Sequence, residues 1–370
     1  MKREVFPRIL IAGGGTGGHI FPAIAVAQKI KERMENSEIL FVIGKKDIER
    51  EILLRYGFPF KVLDLKGLKG RNMIYLPYTL LKFISSILKA LSIVRGFSPH
   101  LVLGMGGYLS APICISAKML KKVVALQEQN TIAGVTNRYL SHISDMVFCG
   151  FEEAKRFFPK DKVYFTGNPV REEILKLRSI KKEGRDFTVL VFGGSQGSIT
   201  INRVFLEAVK ILKGKSYIFN IIHQTGLRDY HLVKREYEMM GIRAEVFAFI
   251  DDMAEAYQRS DLIISRAGAI SVSEICAVGR ASILIPYPYA ADNHQRYNAE
   301  ILRSAGASIV IEEDELDPEI LSSHIKRLLL HSKIREQMAE CANVLYNVYA
   351  SDEIAGMISD TISRIINRSS

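Results

Sequence analysis

The sequence contains few cysteines, and their spacing suggests no covalent or metal link. The four, Cys114, Cys149, Cys276 and Cys341, lie far apart, and no C-x-x-C pair occurs. This spacing argues against both a zinc site and a disulfide framework. We therefore expect reduced thiols in the core of a cytosolic protein. The apolar run before the first glycines is four residues long, too short for a signal peptide, so export is not expected.

One long stretch lacks acidic residues. Between Asp64 and Glu128 there is no aspartate or glutamate. The same stretch carries nine basic residues: Lys66, Lys69, Arg71, Lys82, Lys89, Arg95, Lys118, Lys121 and Lys122. It accounts for nearly all of the formal net charge of +10. Such a surface favours anionic phospholipid, at about 1 kcal/mol per basic group. Nucleic acid is a weaker candidate, because no nucleic-acid-binding module occurs.

Uninterrupted hydrophobic runs of membrane-spanning length are also missing. The longest apolar segment, residues 73–94, is broken by Pro77, Lys82 and Lys89, and each lysine would cost about 3 kcal/mol near the bilayer centre. We therefore predict peripheral membrane contact. The alternative is a core helix over Leu80 to Val94 whose lysines face water. The residues predicted to contact the membrane are Lys66, Lys69, Arg71, Ile74, Leu80, Phe83, Lys118 and Lys121.

What is present is a strand–glycine–helix pattern that occurs twice. The stretches "RILIAGGGTGGHIFPAIAVA" and "FTVLVFGGSQGSITINRVFLEAV" begin about 180 residues apart. The polar segment Thr166 to Asp186 separates them and is typical of a linker. Further apolar runs alternate with helical stretches and show no period of two, as expected of parallel strands buried on both faces. The sequence predicts two similar α/β domains in 370 residues.

The first glycine loop poses a choice. Gly13, Gly15 and Gly18 match the dinucleotide-binding spacing, but the second predicted strand ends at Lys45, where a dehydrogenase would place an acidic residue. His19 instead follows the last glycine. At the amino end of a helix its imidazole should stay neutral and able to accept a proton. A packing or capping histidine is the alternative.

Other polar loops follow predicted strands. "LGMGGYLSAP" places Gly106, Gly107 and Tyr108 at a strand end, and "QEQNTIAGVTNR" offers Glu128 and Asn130 for hydroxyl-rich ligands. "GGSQGS" and "SRAGAISVSE" each open a helix, and two helix amino ends suit a diphosphate. A capping box from Ser271 to Glu274 is the alternative reading of the second. "YPYAADNHQRYNAE" adds Asp292, His294 and Gln295. The chain contains no D-x-D triplet and no Walker sequence, so no metal or cofactor is expected.

These motifs, in this order, resemble the MurG family of peptidoglycan glycosyltransferases. The resemblance rests on "GGGTGGHIFPAIAVA", "GMGGYLSAP", "EQNTIAGVTNR", "TGNPVR", "FGGSQGS", "FIDDMAEAY", "SRAGAISVSEI" and "DNHQRYNAE". It implies an α/β GT-B fold of two Rossmann-like domains with an interdomain cleft. Residues 1–166 and a returning helix near 350–370 would form the acceptor and membrane domain, and residues 167–349 the sugar-nucleotide domain.

The resemblance also implies an activity and a set of site residues. The expected reaction moves N-acetylglucosamine from UDP-N-acetylglucosamine to lipid I, forming lipid II at the cytoplasmic face of the membrane, near other cell-wall proteins. The catalytic candidates are His19 and Glu128, and the acceptor-side candidates are Gly106, Gly107 and Tyr108. The donor-side candidates are Thr16, Gly17, Gly18, Asn130, Arg171, Ser195, the Ile250 backbone, Ala269, Ile270, Ser271, Val272, Ser273, Glu274 and Gln295.

His19 would take the proton from the acceptor C4 hydroxyl during an inverting displacement, with Glu128 as the rival base.

Alternative functions remain open on the sequence. Another GT-B enzyme, such as a UDP-N-acetylglucosamine 2-epimerase or a transferase with a soluble or glycolipid acceptor, would use a similar fold. A nonenzymatic nucleotide-sugar-binding membrane adaptor and an NADP dehydrogenase are the rivals from other classes.

Overall fold

The computed structural model describes residues 6–14, 17–64, 76–180 and 186–369. The chain divides into two compact units. Unit 1 comprises Met1–Pro169 with Tyr349–Ser370, and unit 2 comprises Val170–Val348.

Unit 1 is built on a parallel sheet of seven strands in the order β3-β2-β1-β4-β5-β6-β7. The strands are β1 (Arg8–Ala12), β2 (Glu38–Ile43), β3 (Phe60–Val62), β4 (Leu101–Gly104), β5 (Val123–Glu128), β6 (Met146–Cys149) and β7 (Val163–Phe165). The helices are α1 (Gly17–Arg33), α2 (Asp47–Arg55), α3 (Leu76–Phe97), α4 (Gly107–Met119), α5 (Val135–Ser141) and α14 (Ala350–Ser369), with a 3₁₀ helix at Glu152–Phe157.

Successive side chains of β1 enter two different cores. Ile9 and Ile11 lie in one apolar cluster together with α1 and α14, whereas Leu10 and Ala12 lie in a second cluster with α3 and α4. Both faces of β1 are therefore covered, which explains why its sequence is a continuous apolar run. On the first face, α14 packs against α1 and buries Ile354, Ile358 and Ile362.

Unit 2 repeats the pattern with six parallel strands in the order β10-β9-β8-β11-β12-β13. They are β8 (Thr188–Phe192), β9 (Asn220–Gln224), β10 (Ala244–Phe247), β11 (Leu262–Ser265), β12 (Ala281–Leu284) and β13 (Ser308–Val310). The helices are α6 (Glu172–Leu175), α7 (Ile199–Gly214), α8 (Tyr230–Met239), α9 (Met253–Arg259), α10 (Ala269–Val278), α11 (His294–Ser304), α12 (Pro318–Leu330) and α13 (Ser332–Val344), with 3₁₀ helices at Lys176–Ser179 and Ala291–Asn293.

The two strand orders locate the sites. In each sheet the order runs third, second, first, fourth, fifth, sixth, which is the Rossmann order. The direction of winding reverses between β1 and β4 in unit 1 and between β8 and β11 in unit 2. Ligands of such sheets bind outside the carboxyl ends of the strands at this reversal. The prediction of two α/β domains with parallel, doubly covered strands is confirmed.

The cysteines lie in these cores. Cys114, Cys149 and Cys276 are buried free thiols, and burial raises the pKa of each to about 12. The fourth, Cys341, is free and partly exposed. The prediction of core thiols therefore holds for the first three.

Candidate functional site

His19 stands at the carboxyl edge of the unit 1 sheet. It lies in the first turn of α1, and its ring faces the loop between β4 and α4. A Cβ added to Gly107 would lie 3.6 Å from His19 Nε2, and one added to Gly106 would lie 3.5 Å from its Cε1. Gly106 and Gly107 adopt positive φ, of 88° and 73° respectively. A side chain at either position would be strained by the positive φ, and its Cβ would be in van der Waals contact with the imidazole, so the glycine pair lies directly against His19.

The surroundings of His19 keep its ring neutral. Burial lowers the pKa of His19 below its usual 6.5, and the Glu128 carboxylate is the largest of the opposing influences, ahead of Gln129, the Met105 carbonyl and Glu49. A depressed pKa leaves the imidazole unprotonated at neutral pH, which is the state that can accept a proton. Its Nδ1 is buried and meets no group with hydrogen-bond geometry among the described residues.

Glu128 is the last residue of β5, and both of its carboxylate oxygens accept hydrogen bonds from the segment that follows. One carboxylate oxygen accepts from the Asn130 backbone N–H at 3.0 Å and from the Asn130 side chain at 3.2 Å. The other accepts from the Gly134 N–H at 3.0 Å and from Asn137 Nδ2 at 2.9 Å. With 2 % of its surface exposed, this carboxylate holds the loop 129–134 in shape. Asn130 is thereby fixed beside it.

Sequence reasoning missed a buried amide network at this edge. Gln129 donates to the Met105 carbonyl at 3.0 Å, and Asn168 donates to the Gln129 carbonyl at 2.9 Å. Gln127 donates to Asn168 at 3.1 Å, and Asn137 donates to the Gln127 carbonyl at 3.2 Å. The available signal was the amide-rich composition of residues 127–137, but the partner at position 168 is distant in sequence. The network links the loop after β5 to Met105, which directly precedes the Gly106–Gly107 pair beside His19.

Glu49 is a second buried carboxylate that the sequence did not suggest. It lies in α2, is 1 % exposed, and accepts from the Gly44 N–H at 3.1 Å. A Cβ on Gly14 would lie 3.0 Å from its carboxylate oxygen. Glu49 therefore borders the first glycine loop. Of that loop, Gly17 and Gly18 form the start of α1, whereas Thr16 lies outside the described residues. Tyr108 follows the glycine pair with 47 % of its surface exposed.

In unit 2 the loop after β8 packs tightly on the end of β9. Gly197 has φ 76°, and a Cβ there would lie 1.9 Å from the Thr225 carbonyl oxygen. Ser198 caps α7 by accepting from the Ile201 N–H, and Ser195 is exposed in the loop. Residues 193–197 also match G-x-S-x-G, the spacing of a hydrolase nucleophile elbow. The positive φ values fall on Gly194 and Gly197, however, and not on Ser195.

The helix after β11 starts without a side-chain cap. Gly268 is the N-cap of α10, which begins at Ala269, and Ser273 bonds back to the Ala269 carbonyl at 2.8 Å. The alternative of a Ser271 to Glu274 capping box is therefore wrong, because both residues lie inside the helix. The first turn, which contains Ile270 and Val272, offers its backbone N–H groups to a ligand.

Arg171 and Glu274 form a buried ion pair. Arg171 Nη2 lies 3.1 Å from Glu274 Oε1, and Tyr257 donates its hydroxyl to Glu274 Oε2 at 3.1 Å. Burial, then the Glu274 charge, raises the pKa of Tyr257 well above its usual value, so the phenol stays protonated and donates. A carboxylate has about four acceptor positions, and these contacts use two of them.

Arg266, just after β11, is a functional candidate that sequence reasoning passed over. It is buried, donates to the carbonyls of Ile285 and Pro286 at 3.2 Å each, and pairs with Glu313. It also donates to Ser198 Oγ at 2.8 Å. One guanidinium thus joins the β8 loop to the β12 loop. The sequence "SRAGA" predicts the start of a helix, and its arginine, Arg266, was the available sign of this buried contact.

The remaining donor-side candidates lie at the same edge. The Ile250 backbone N–H donates to Gln224 Oε1 at 2.7 Å. Gln295, in the first turn of α11, accepts from the Tyr287 N–H at 3.0 Å, and His294 is bonded to the Ala291 carbonyl. Asp292 adopts a left-handed conformation at φ 51°. The backbone N–H of Ile250 is therefore engaged within unit 2.

The structure describes only some of the residues predicted to contact the membrane. Lys66, Lys69, Arg71 and Ile74 lie outside the described residues, and Leu80 lies in α3 with its side chain undescribed. Phe83 is partly buried, Lys121 is exposed, and Lys118 contacts both oxygens of Asp145 at 3.0 Å.

The described part of α3 has two different faces. Ser86, Ala90 and Val94 are buried, whereas Ile84 and Leu88 are exposed at 47 % and 63 %. The helix packs on α4 and also presents apolar side chains to solvent, and membrane contact stays a prediction. None of the helices within the described ranges combines the length and apolar character needed to cross a bilayer. No cluster of three metal-ligating side chains occurs in the same ranges.

Two Rossmann-type units in one chain, each with polar loops at its strand reversal, are the domain content of the GT-B fold. The family models agree: the glycosyltransferase family 28 N-terminal domain matches residues 9–149, and its C-terminal domain matches residues 188–354. The chain belongs to glycosyltransferase family 28 and, within it, to the MurG family. The predicted fold class and family are confirmed, and the interdomain cleft stays a prediction.

Curated relatives share this assignment. A UDP-N-acetylglucosamine–N-acetylmuramyl-(pentapeptide) pyrophosphoryl-undecaprenol N-acetylglucosamine transferase of Syntrophus aciditrophicus is 40 % identical over 94 % of this chain and 96 % of its own. The protein of the same name from Geobacter sulfurreducens is 41 % identical over 96 % and 99 %. The crystal structure of Acinetobacter baumannii MurG matches with a TM-score of 0.75 at 27 % identity, over 96 % and 100 %. A Listeria monocytogenes putative UDP-N-acetylglucosamine 2-epimerase shares the fold, with a TM-score of 0.69 at 16 % identity, over 97 % and 98 %.

Proposed function

We propose that this protein transfers N-acetylglucosamine from UDP-N-acetylglucosamine to the C4 hydroxyl of the N-acetylmuramyl residue of lipid I, forming lipid II. The observation that carries the mechanism is His19, a neutral imidazole at the amino end of α1, seated on the Gly106–Gly107 pair. Membership of the family and the curated relatives support the substrate assignment.

His19 is the general base of this proposal. Its ring can accept a proton because burial keeps it neutral, and Glu128 can stabilise the imidazolium that results. Glu128 itself accepts four hydrogen bonds from its own loop, so it serves better as a positioning and electrostatic partner than as the base. The attacking oxygen displaces UDP in line, which inverts the anomeric centre from α to β.

Unit 2 holds the donor in this proposal. The uncapped start of α10, from Ala269 to Ser273, and the loop at Ser195 face the diphosphate and stabilise the leaving UDP. Glu274 takes the ribose hydroxyls on its unused acceptor positions, with Arg171 as its counter-ion. The Ile250 carbonyl accepts from the N3–H of uracil, and Gln295 binds the sugar hydroxyls. Thr16, Gly17, Gly18 and Asn130 stay predicted donor-sugar residues, on the resemblance to the family alone.

The acceptor is lipid-linked, so the protein must meet the membrane surface. The exposed Ile84 and Leu88 on α3, the adjacent Phe83 and the exposed, basic Lys121 after α4 support peripheral binding to anionic phospholipid at the cytoplasmic face. A vesicle-flotation assay tests this: Ile84→Ser/Leu88→Ser should reduce binding to anionic vesicles and leave UDP binding unchanged. Equal flotation of the variant and the parent would contradict it.

UDP release from UDP-N-acetylglucosamine, with and without a short-chain lipid I analogue and in EDTA, tests the reaction. Release that requires the analogue and tolerates EDTA is expected. Release without an acceptor would instead indicate an epimerase or a hydrolase, and donor binding without any release would indicate a binding adaptor. The His19→Ala variant should bind UDP normally but form little UDP from UDP-N-acetylglucosamine in the presence of the analogue. Near-normal turnover of this variant would exclude His19 as the base.

A further inference from the structure

The side chain of Gln224 joins two loops that follow different strands. It is the last residue of β9 and is buried. Its Nε2 donates to the Gly194 carbonyl at 2.9 Å, in the loop after β8. Its Oε1 accepts from the Ile250 N–H at 2.7 Å, in the segment after β10. Donor and acceptor are both used, and each faces a backbone group of the opposite kind, so the orientation of the amide is unambiguous.

The neighbouring residues lock this bridge in place. Thr225 donates its backbone N–H to the Phe247 carbonyl at 2.9 Å, which adds a link toward the Ile250 segment. On the other side, Gly226 and Gly197 lie so close that a Cβ on Gly226 would stand 2.2 Å from the Gln196 carbonyl oxygen. Asn202 of α7 also donates to the Thr225 carbonyl at 2.9 Å. The end of β9 therefore has little freedom to shift.

The two loops bound the region where a nucleotide binds in a sheet of this topology. The first precedes the amino end of α7, which suits a phosphate, and the second passes the carboxyl end of β10. Because one amide holds both, it sets the distance between a phosphate-binding loop and a base-contacting backbone segment. It also accepts from the Ile250 N–H and so fixes the position of the segment whose carbonyl is proposed to contact the base.

We infer that Gln224 is a positioning residue that determines nucleobase selectivity, by fixing Ile250 so that its carbonyl requires a donor at position 3 of the base. Uracil carries such a donor, whereas cytosine carries an acceptor at the same position, so the site should prefer UDP to CDP. The inference rests on the proposed function for the placement of the base at Ile250. Nothing in it requires the sugar-transfer step.

Two substitutions separate the two arms of the bridge. Gln224→Glu keeps an acceptor for the Ile250 N–H and turns a carboxylate toward the Gly194 carbonyl, so it breaks only the phosphate-loop arm. Gln224→Met keeps the size of the side chain and breaks both arms. Ser308→Ala is the matched control, because it removes another buried side-chain hydrogen bond of unit 2, to the Ser282 carbonyl at 3.1 Å, away from this edge.

Binding of UDP and CDP to the full chain, measured by calorimetry, is the readout, with thermal stability recorded in parallel. For Gln224→Met we expect UDP affinity to fall about tenfold and the UDP-to-CDP ratio to fall by a similar factor. Gln224→Glu should lose UDP affinity and keep the ratio, and Ser308→Ala should change neither. In the transfer assay, Gln224→Met should raise the KM for the donor with little change in kcat.

The inference is overturned if Gln224→Met retains the parent's selectivity ratio, whatever happens to its stability. It is also overturned if Gln224→Glu and Gln224→Met lose selectivity equally, since the Ile250 arm would then not matter. These results are distinct from a failure of the proposed function. A parent protein that binds UDP in preference to CDP but transfers no sugar would remove the transferase and leave the role of Gln224 standing.

Discussion

Arg171 and Glu274 face each other across 3.1 Å in the interior of unit 2, with 5 % and 7 % of their side-chain surfaces exposed. They are more than one hundred positions apart in the sequence. Tyr257 donates to the second oxygen of the same carboxylate. Glu274, the proposed ribose ligand, is thus also the buried counter-ion of Arg171, so we expect a substitution here to affect both stability and donor binding.

Removing one partner of this pair should be costly. Arg171→Ala leaves the Glu274 carboxylate buried with only Tyr257 beside it, and we expect a loss of about 3–5 kcal/mol in the free energy of unfolding. Arg259→Ala is the control, because its pairs with Glu245 and Glu255 are exposed and are worth about 1 kcal/mol or less. Urea denaturation measures both, and equal losses would contradict the buried pair.

The pH dependence of transfer should show the depressed pKa of His19. Burial lowers that pKa below 6.5, so the imidazole is neutral at pH 7, and kcat/KM should fall only where acid protonates it. The midpoint of the acid limb is therefore expected below pH 6.5. His19→Ala should lower kcat by about 10²- to 10⁴-fold and abolish that limb. An acid limb that persists in this variant would assign it to another group.

His223 should make unit 2 sensitive to acid. Its ring is fully buried between Tyr237 and Asn202, at 2.9 and 3.1 Å, and burial lowers its pKa to about 3. The unfolded chain binds one more proton than the folded chain between about pH 6.5 and pH 3. Stability should therefore fall with decreasing pH, by about 1.4 kcal/mol per pH unit from this group.

The control for this slope is His223→Gln, which keeps one donor and one acceptor and does not titrate. The free energy of unfolding, measured by urea denaturation at several pH values, should fall less steeply in this variant between pH 6 and pH 4. Parallel curves for the variant and the parent would show that His223 does not titrate on unfolding.

Two glycines of the same unit should respond in opposite ways to alanine. Gly197→Ala adds a Cβ 1.9 Å from the Thr225 carbonyl oxygen at φ 76°, so it should displace the loop, weaken UDP binding and cost more than about 1–3 kcal/mol of stability. Gly214 lies in α7 with nothing within 4 Å of an added Cβ, and Gly214→Ala should stabilise by up to about 1 kcal/mol. Calorimetric melting compares them.

The order of strands, helices and glycine loops could be predicted because each depends on local pattern. Continuous apolar runs such as residues 9–12 specify strands buried on both faces, and Gly194 and Gly197 provide positive φ that other residues adopt at a cost. The family could be recognised for the same reason, since its motifs are short and contiguous. His19 was identifiable because a histidine after a glycine loop lies at the amino end of a helix.

The sequence by itself determined the two α/β units and the short motifs that carry the proposed chemistry, because these depend on residues close together in the chain. Only the tertiary structure decided how buried polar groups are shared. Glu128 is bound by its own loop, Glu274 is paired with Arg171, and Gln224 joins Gly194 to Ile250. Side-chain partners of this kind lie up to 103 positions apart. Each buried polar atom must find a partner wherever the fold brings one within reach, and no local pattern encodes that choice.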